Sequence, residues 1–146
     1  MDKIYCSSNT EVEVTENRYA AQRKKTALYC RSAADNENAI KSQKEQLLRC
    51  VNKKGLTNLS WYIDNGASGN TLIRPAMIRL IADIKFGEIS AVVVTSADRI
   101  SRNMIALSEW VRFARENDVL CVSADTDERE LDNELELLFD NPVNID

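Results

Sequence analysis

Apolar side chains recur along the middle of the chain in two alternating patterns, one typical of buried strands and the other of amphipathic helices. Short, almost wholly apolar runs predict four strands, at residues 26–32, 59–63, 90–95 and 119–123. Longer segments with apolar residues three or four positions apart predict helices between the strands, over residues 36–54, 75–86 and 103–116. A further amphipathic segment, 128–139, follows the last strand.

Glycine and proline mark the ends of these predicted helices. Gly55 and Gly87 follow the first two helices as C-caps, and Pro75 opens the second at a position that proline favours. Spacing within the second helix predicts that Ile78, Ile81, Ala82 and Phe86 face a core.

Regular alternation of strands and helices predicts an α/β fold, because a helical crossover returns the chain to lay the next strand parallel to the last. We expect a three-layer sandwich, with a mostly parallel central sheet flanked by helices on both faces. Functional residues of such sheets gather at the carboxyl ends of the strands.

Charge divides the 146 residues into three parts. Residues 26–124 carry thirteen basic and ten acidic side chains and contain the alternating strands and helices predicted up to the fourth strand. Residues 1–25 are predicted to be a polar, flexible N-terminal arm. Residues 125–146 carry one basic and nine acidic side chains and are predicted to be an acidic helix and tail. The formal net charge of −4 therefore reflects the tail rather than the body.

Composition excludes several kinds of chemistry. The chain has no histidine, which excludes a Ser-His-Asp triad, a Cys-His pair and a histidine-containing zinc site. The four cysteines form no CxxC pair, so we expect no metal site and reduced thiols. The sequence also has no run of 18 apolar residues and no apolar leader, which predicts a cytoplasmic protein without membrane contact.

Arginine is the residue that the predicted loops share. Arg31 ends the first strand, Arg74 follows the glycine-rich loop, and Arg99 and Arg102 follow the third strand with a spacing that places both on one side of a helical turn. Converging guanidinium groups suit a phosphate and the charge of a phosphoryl-transfer transition state. The alternative is four solvated arginines, each with a carboxylate partner.

Five motifs in order identify a resemblance to a known family. They are Tyr29-Cys30-Arg31, Gln43, YIDNGASG at 62–69, Arg74-Pro75 and DRISR at 98–102. This set resembles the catalytic domain of the serine recombinases, the resolvase and invertase family, and most closely its large-recombinase branch. The resemblance covers residues 26–124.

The resemblance implies a mostly parallel sheet with one antiparallel edge strand, and a reaction in which a serine attacks a DNA phosphodiester to form a 5′-phosphoserine link. It implies no cofactor and no metal. Arg31, Arg74, Arg99 and Arg102 would hold the phosphate, and Asp98 would be a site carboxylate that orients an arginine. Three further residues would line the site: Gln43, Asp64 and Ser68. For Asp64 and Ser68 a simple turn, with the side chain capping backbone amides, is an equal alternative.

The sequence departs from the family at its central residue. The pattern Tyr-x-Arg-x-Ser becomes Tyr29-Cys30-Arg31-Ser32-Ala33, so Ala33 occupies the position of the nucleophile. Side chains alternate along a strand, and Ser32 is therefore expected on the opposite face from Arg31 and Ala33. The sequence leaves open whether another serine substitutes and whether Ala33 is natural.

Two functions follow from the resemblance. The first is a recombinase catalytic domain, impaired by Ala33 and by the lack of a DNA-binding domain after residue 124. The second is a non-enzymatic relative that dimerises and modulates a full-length recombinase. Its contact with DNA would be weak or indirect, because an acidic tail repels a phosphate backbone. A flavodoxin-like binder of small molecules fits the topology, but no phosphate-loop motif supports it.

Overall fold

Residues 24–125 are described by a computed structural model. Their elements alternate as predicted: β1 (Lys25–Ser32), α1 (Glu37–Lys54), β2 (Leu59–Asn65), α2 (Pro75–Lys85), β3 (Ile89–Val94), a 3₁₀ turn (Ala97–Arg99), α3 (Met104–Glu116) and β4 (Leu120–Ser123). The predicted arm at 1–25 and the tail at 125–146 lie almost wholly outside the described residues. Their boundaries stay predictions.

The four strands form one parallel sheet in the order β2-β1-β3-β4. β1 lies between β2 and β3, with Arg31 opposite Asp64 and Leu28 opposite Val93. All three strand pairs are parallel. Over residues 24–125 the sheet thus has no antiparallel edge strand of the kind that the resemblance implied.

Helices cover both faces of the sheet, which confirms the predicted α/β layering. α1 packs on one face through Ile40, Leu47 and Val51, against Leu28 and Val93 of the sheet. On the other face, α2 and α3 pack against Ala27, Tyr29, Val92 and Val94 of the sheet and form a larger core. The two helices contribute Met77, Leu80, Ile84, Leu107, Trp110 and Val111 to this core. Alternation along the central strands separates the two cores.

One predicted helix face is wrong in part: Ile81 packs against the core, whereas Ile78 and Phe86 are exposed. In α2 the buried residues are Ala76, Met77, Leu80 and Ile84, whereas 52% of Ile78 and 78% of Phe86 is exposed. The helix carries two apolar stripes at helical spacing, and the spacing alone gave no reason to prefer the one that contacts the sheet.

Both ends of α1 have specific caps. The Asn36 side chain accepts a hydrogen bond from the Ala39 amide at 3.0 Å, and Gly55 ends the helix in the left-handed region with φ of 71°. Among residues 24–125 no helix is long and apolar enough to cross a membrane.

The separation of the two cores predicts additive losses of stability. Leu47→Ala and Leu80→Ala each remove a fully buried side chain, one on each face of the sheet. We expect each to lower the free energy of unfolding by about 2–5 kcal/mol. The double variant should lose the sum within about 0.5 kcal/mol. Urea titration of the unchanged protein, the two single variants and the double variant measures these free energies of unfolding.

Leu48→Ala provides the control, because 40% of Leu48 is exposed and the loss should be much smaller. A coupling between Leu47 and Leu80 above about 1 kcal/mol would contradict two separate cores.

Candidate phosphodiester site at the carboxyl ends of the strands

Arg31 is fully buried at the end of β1, and its guanidinium connects two loops. Nη1 donates to the Ala67 carbonyl at 3.0 Å in the loop after β2. Nη2 donates to the Asp98 carbonyl at 2.8 Å and Nε to the Arg99 carbonyl at 3.0 Å, both in the loop after β3. Because β1 lies between β2 and β3, Arg31 at its end lies between the loops that follow these two strands.

Gly69 makes this burial possible. A Cβ built on Gly69 would lie 2.6 Å from Nη2 and 2.8 Å from Cζ of Arg31, closer than real Cβ contacts allow. The loop backbone therefore rests directly on the guanidinium, and only glycine fits there without displacement.

Arg74, directly before α2, is likewise committed to protein groups. Its Nε donates to the Thr71 carbonyl at 2.7 Å, and Nη1 donates to the Tyr29 hydroxyl at 2.6 Å and to the Arg99 carbonyl at 3.1 Å. Nη2 donates to the Ile100 carbonyl. With 2% of its surface exposed, Arg74 fixes the loop after β3 together with Arg31, and both donate to the Arg99 carbonyl.

Tyr29 joins Arg74 to Asp64. The Tyr29 hydroxyl donates to Asp64 Oδ2 at 2.7 Å while it accepts from Arg74. Burial and then the hydrogen bond to Asp64 raise the pKa of Tyr29 above its ordinary value, so the hydroxyl keeps the proton that it donates.

Asp64 also caps α2. Its two carboxylate oxygens accept from the amides of Ala76, at 2.8 Å, and Met77, at 3.0 Å. These are orphan donors in the first turn of a helix whose own N-cap, Arg74, forms no side-chain cap. Asp64 therefore caps a helix distant in sequence, where the sequence had offered a site role or a local turn.

Gln43 holds the backbone of Arg31. From α1, its Oε1 accepts from the Arg31 amide at 3.1 Å, and its Nε2 donates to the Arg31 carbonyl at 2.9 Å. The buried amide thus pairs with Arg31 as a neighbouring strand would. It fixes the residue from which the guanidinium extends.

Arg99 and Arg102 differ from the two buried arginines. Arg99 is partly exposed, and its Nη1 donates to the Arg31 carbonyl at 3.1 Å. Its Nε is buried and has no hydrogen-bond partner within residues 24–125. Arg102 is exposed, and its amide donates to the Gly69 carbonyl at 3.0 Å. Among the residues that the structure describes, both guanidiniums thus keep donors without a partner.

The resemblance implied that the Asp98 carboxylate orients an arginine. Within residues 24–125, however, this carboxylate pairs with no guanidinium. That carboxylate accepts from the Ser96 hydroxyl at 2.5 Å, and it is the Asp98 carbonyl that receives Arg31. Ser68 forms a local turn, its hydroxyl accepting from the Asn70 amide at 3.1 Å. The turn interpretation thus describes Ser68 but not Asp64.

Ala33 lies exposed immediately after β1. Ser32 is buried, and its hydroxyl donates to the Ala34 carbonyl at 2.6 Å. Strand alternation places Ser32 with Leu28 and Cys30, on the α1 face, and Arg31 with Ala27 and Tyr29 on the other. Ser32 is therefore directed away from the arginines.

The site carries excess positive charge. Within the described part of the chain, none of the four arginines lies within ion-pair distance of a carboxylate, which argues against four solvated ion pairs. Burial lowers the pKa of Arg31, and the nearby charges of Arg74, Arg99 and Arg102 act in the same direction. Arg31 thus lies close enough to the other three arginines to feel their charge. The same residues, 24–125, contain no cluster of side chains suited to a metal ion.

Comparison with known proteins agrees with this architecture. The family model of the resolvase N-terminal domain matches residues 26–140, which is most of the chain. The chain therefore belongs to the resolvase family, as its motifs indicated. A Bacillus subtilis (strain 168) protein named "Putative DNA recombinase" is 38% identical over 81 residues. That alignment covers 54% of this chain and only 16% of the relative.

Solved structures share the fold. The N-terminal catalytic domain of TP901-1 integrase has 30% sequence identity and a TM-score of 0.69, over 80% of this chain and 88% of that domain. A resolvase family site-specific recombinase from Streptococcus pneumoniae has 20% identity and a TM-score of 0.62, over 81% of this chain and 89% of that one. At this lower identity the likeness concerns the fold alone.

Two residues that organise the site were not singled out as site residues from the sequence. Tyr29 was noted only as part of a motif, although its position two residues before Arg31 places both side chains on one face of β1. Gly69 was noted only as part of a glycine-rich loop. Its role depends on a close approach between residues distant in sequence, which no local pattern reveals.

The contact between Gly69 and Arg31 predicts a coupled loss of stability. Gly69→Ala should lower the free energy of unfolding by about 1–3 kcal/mol, because the added methyl displaces the guanidinium or the loop. In an Arg31→Ala background the clash is absent, and Gly69→Ala should cost much less. Denaturant titration of the four proteins in this cycle measures the coupling.

Gly55→Ala is the control, since its Cβ would meet nothing within 4 Å and only the left-handed backbone opposes it. Its cost should be the same with and without Arg31. Equal costs of Gly69→Ala in both backgrounds would contradict the close contact.

Proposed function

We propose that this chain takes part in site-specific DNA recombination as a serine-recombinase catalytic domain that binds a DNA phosphodiester but lacks the atom that attacks it. The observation that carries the proposal is the arginine cluster: within residues 24–125, Arg99 and Arg102 retain unpartnered donors near two buried arginines, and none of the four pairs with a carboxylate. Membership of the resolvase family supports the same process. The relative named as a DNA recombinase is far longer than this chain, so activity of the whole protein remains part of the proposal.

A phosphate would enter from the exposed side of this cluster. The exposed Arg102 guanidinium and the partly exposed Arg99 guanidinium would donate to its oxygens, and Arg31 and Arg74 would hold the loops that carry them. Donors fixed in advance lose little free energy to reorganisation when charge develops on a transferring phosphoryl group. The excess positive charge would attract the DNA backbone and make binding sensitive to salt.

Cleavage in this family requires a hydroxyl at position 33. Its oxygen would bond to phosphorus as the bond from phosphorus to the 3′ oxygen breaks, leaving a 5′-phosphoserine link and a free 3′ hydroxyl. The methyl group of Ala33 has no lone pair for this attack. Ser32 does not replace it, because its hydroxyl is buried and directed to the other face of the sheet.

Ala33 specifically favours a second, non-enzymatic form of this function. A domain that keeps the fold and the phosphate-binding arginines could associate with a full-length recombinase, or with a second copy of itself, and modulate recombination without cleaving DNA. Its own contact with DNA would then be weak or indirect.

Restoring the hydroxyl tests the proposal. We expect Ala33→Ser to form a covalent adduct with supercoiled plasmid DNA at low salt, and the unchanged chain to form none. The adduct would be detected by denaturing electrophoresis, and mass spectrometry after nuclease digestion would locate the phosphate on residue 33. In the Ala33→Ser background, Arg99→Gln should slow adduct formation by about 100-fold, the effect of losing one charge-stabilising donor.

Ser32→Ala is the matched control in the same background: the adduct should still form, with its phosphate on residue 33, although the variant removes the hydrogen bond from Ser32 to the Ala34 carbonyl. An adduct formed by the unchanged chain and abolished by Ser32→Ala would show that Ser32 is the nucleophile and overturn the proposal. A folded Ala33→Ser protein without any adduct would equally count against a preserved site.

A further inference from the structure

The loop that carries residue 33 is short and exposed. Residues 33–36 connect β1 to α1, and all four are exposed. A nucleophile at this position would need a fixed distance to the arginines, because misplacement by about 1 Å costs much of the rate. The side chains of this loop are small or solvated, so contacts from neighbouring elements must fix its conformation.

One side of the loop is fixed by backbone hydrogen bonds. The Ser32 carbonyl accepts from the amides of Gly66, at 2.7 Å, and Ala67, at 2.8 Å. These bonds fix the end of β1 against the turn after β2. The Ser32 hydroxyl also donates to the Ala34 carbonyl at 2.6 Å, and none of these bonds reaches residues 35 and 36.

The Asn65 side chain reaches the remainder of the loop. Its Oδ1 accepts from the Asn36 amide at 2.9 Å. Its Nδ2 donates to Asp35 Oδ1 at 2.8 Å and to Glu37 Oε2 at 3.2 Å. One amide thus binds three consecutive residues at the junction between the loop and α1.

We infer that Asn65 is a positioning residue that sets the conformation of the loop carrying residue 33. This inference rests on the proposed function, since it gives the loop a role at the phosphodiester. Asn65 ends β2 beside Ser32 in the sheet, so its own backbone is held by the ladder. It therefore transmits the rigidity of the sheet to an exposed loop.

The chemistry of the three partners specifies an amide at position 65. A backbone N–H requires an acceptor and two carboxylates require two donors, and an amide offers one acceptor oxygen and two N–H donors from one side chain. Aspartate has nearly the same shape, but it would place a third negative charge against Asp35 and Glu37. Asn65→Asp should therefore release the loop, and salt should reduce the effect because these groups are exposed.

Hydrogen exchange of the Asn36 amide tests the inference without any activity. Asn65→Ala should raise its exchange rate by about tenfold through loss of the acceptor. Asn65→Asp should raise the exchange of residues 34–37 at low salt and less at high salt. Adding Asp35→Asn to Asn65→Asp should restore protection, because the donor and acceptor are then exchanged.

Asn52→Asp is the control. It adds the same charge near the far end of the 18-residue α1, about 25 Å from the loop, and should change neither exchange nor its salt dependence. Unchanged Asn36 exchange in a folded Asn65→Ala protein would overturn the inference. So would a failure of Asp35→Asn to restore protection in the Asn65→Asp protein.

Adduct formation separates this inference from the proposed function. In the Ala33→Ser background, Asn65→Ala should slow the adduct several-fold and Asn52→Asp should not. Loss of Asn36 protection without any adduct from Ala33→Ser itself would contradict the proposed function and leave the loop contact standing. Normal adduct rates in Asn65→Ala, with Asn36 exchange raised, would contradict the positioning role.

Discussion

The contact between the Arg31 guanidinium and the carbonyls of two loops organises this domain. Those carbonyls, on Ala67, Asp98 and Arg99, turn inward to a buried cation at the end of the central strand. A buried charge without hydrogen bonds is costly, so the loops and the arginine require each other. Gln43 fixes the backbone of Arg31, and Gly69 leaves space for its side chain.

This arrangement divides four arginines that look equivalent in the sequence. Arg31 and Arg74 are buried and donate mainly to backbone carbonyls, whereas Arg102 is exposed and Arg99 partly exposed, and within residues 24–125 both keep donors without a partner. The buried pair supplies positive potential and rigidity, and the outer pair supplies the contacts proposed for a phosphate. Tyr29 and Asp64 extend the same network to the first turn of α2, so the site and the helix packing depend on each other.

Much of the fold could be predicted because the spacing of apolar residues along the sequence indicates strands and helices. The arginines could be predicted because strand order brings the ends of β1 and β3 together. Other features depend on contacts over long sequence separations. Asp64 caps a helix that begins eleven residues later, Asp98 acts through its carbonyl, and Ile78 and Phe86 face away from the sheet because α2 uses its other apolar stripe. No local pattern distinguishes these outcomes.

The difference between the two buried arginines and the two more exposed ones can be measured directly. The method is nuclear magnetic resonance of the guanidinium Nε–H groups during titration with inorganic phosphate. The account predicts that the Arg99 Nε–H resonance shifts on addition of phosphate, because this donor is unpartnered within residues 24–125. The Nε–H groups of Arg31 and Arg74, already bound to carbonyls, should exchange slowly with water and move little. An unmoved Arg99 resonance, or fast exchange at Arg31, would contradict it.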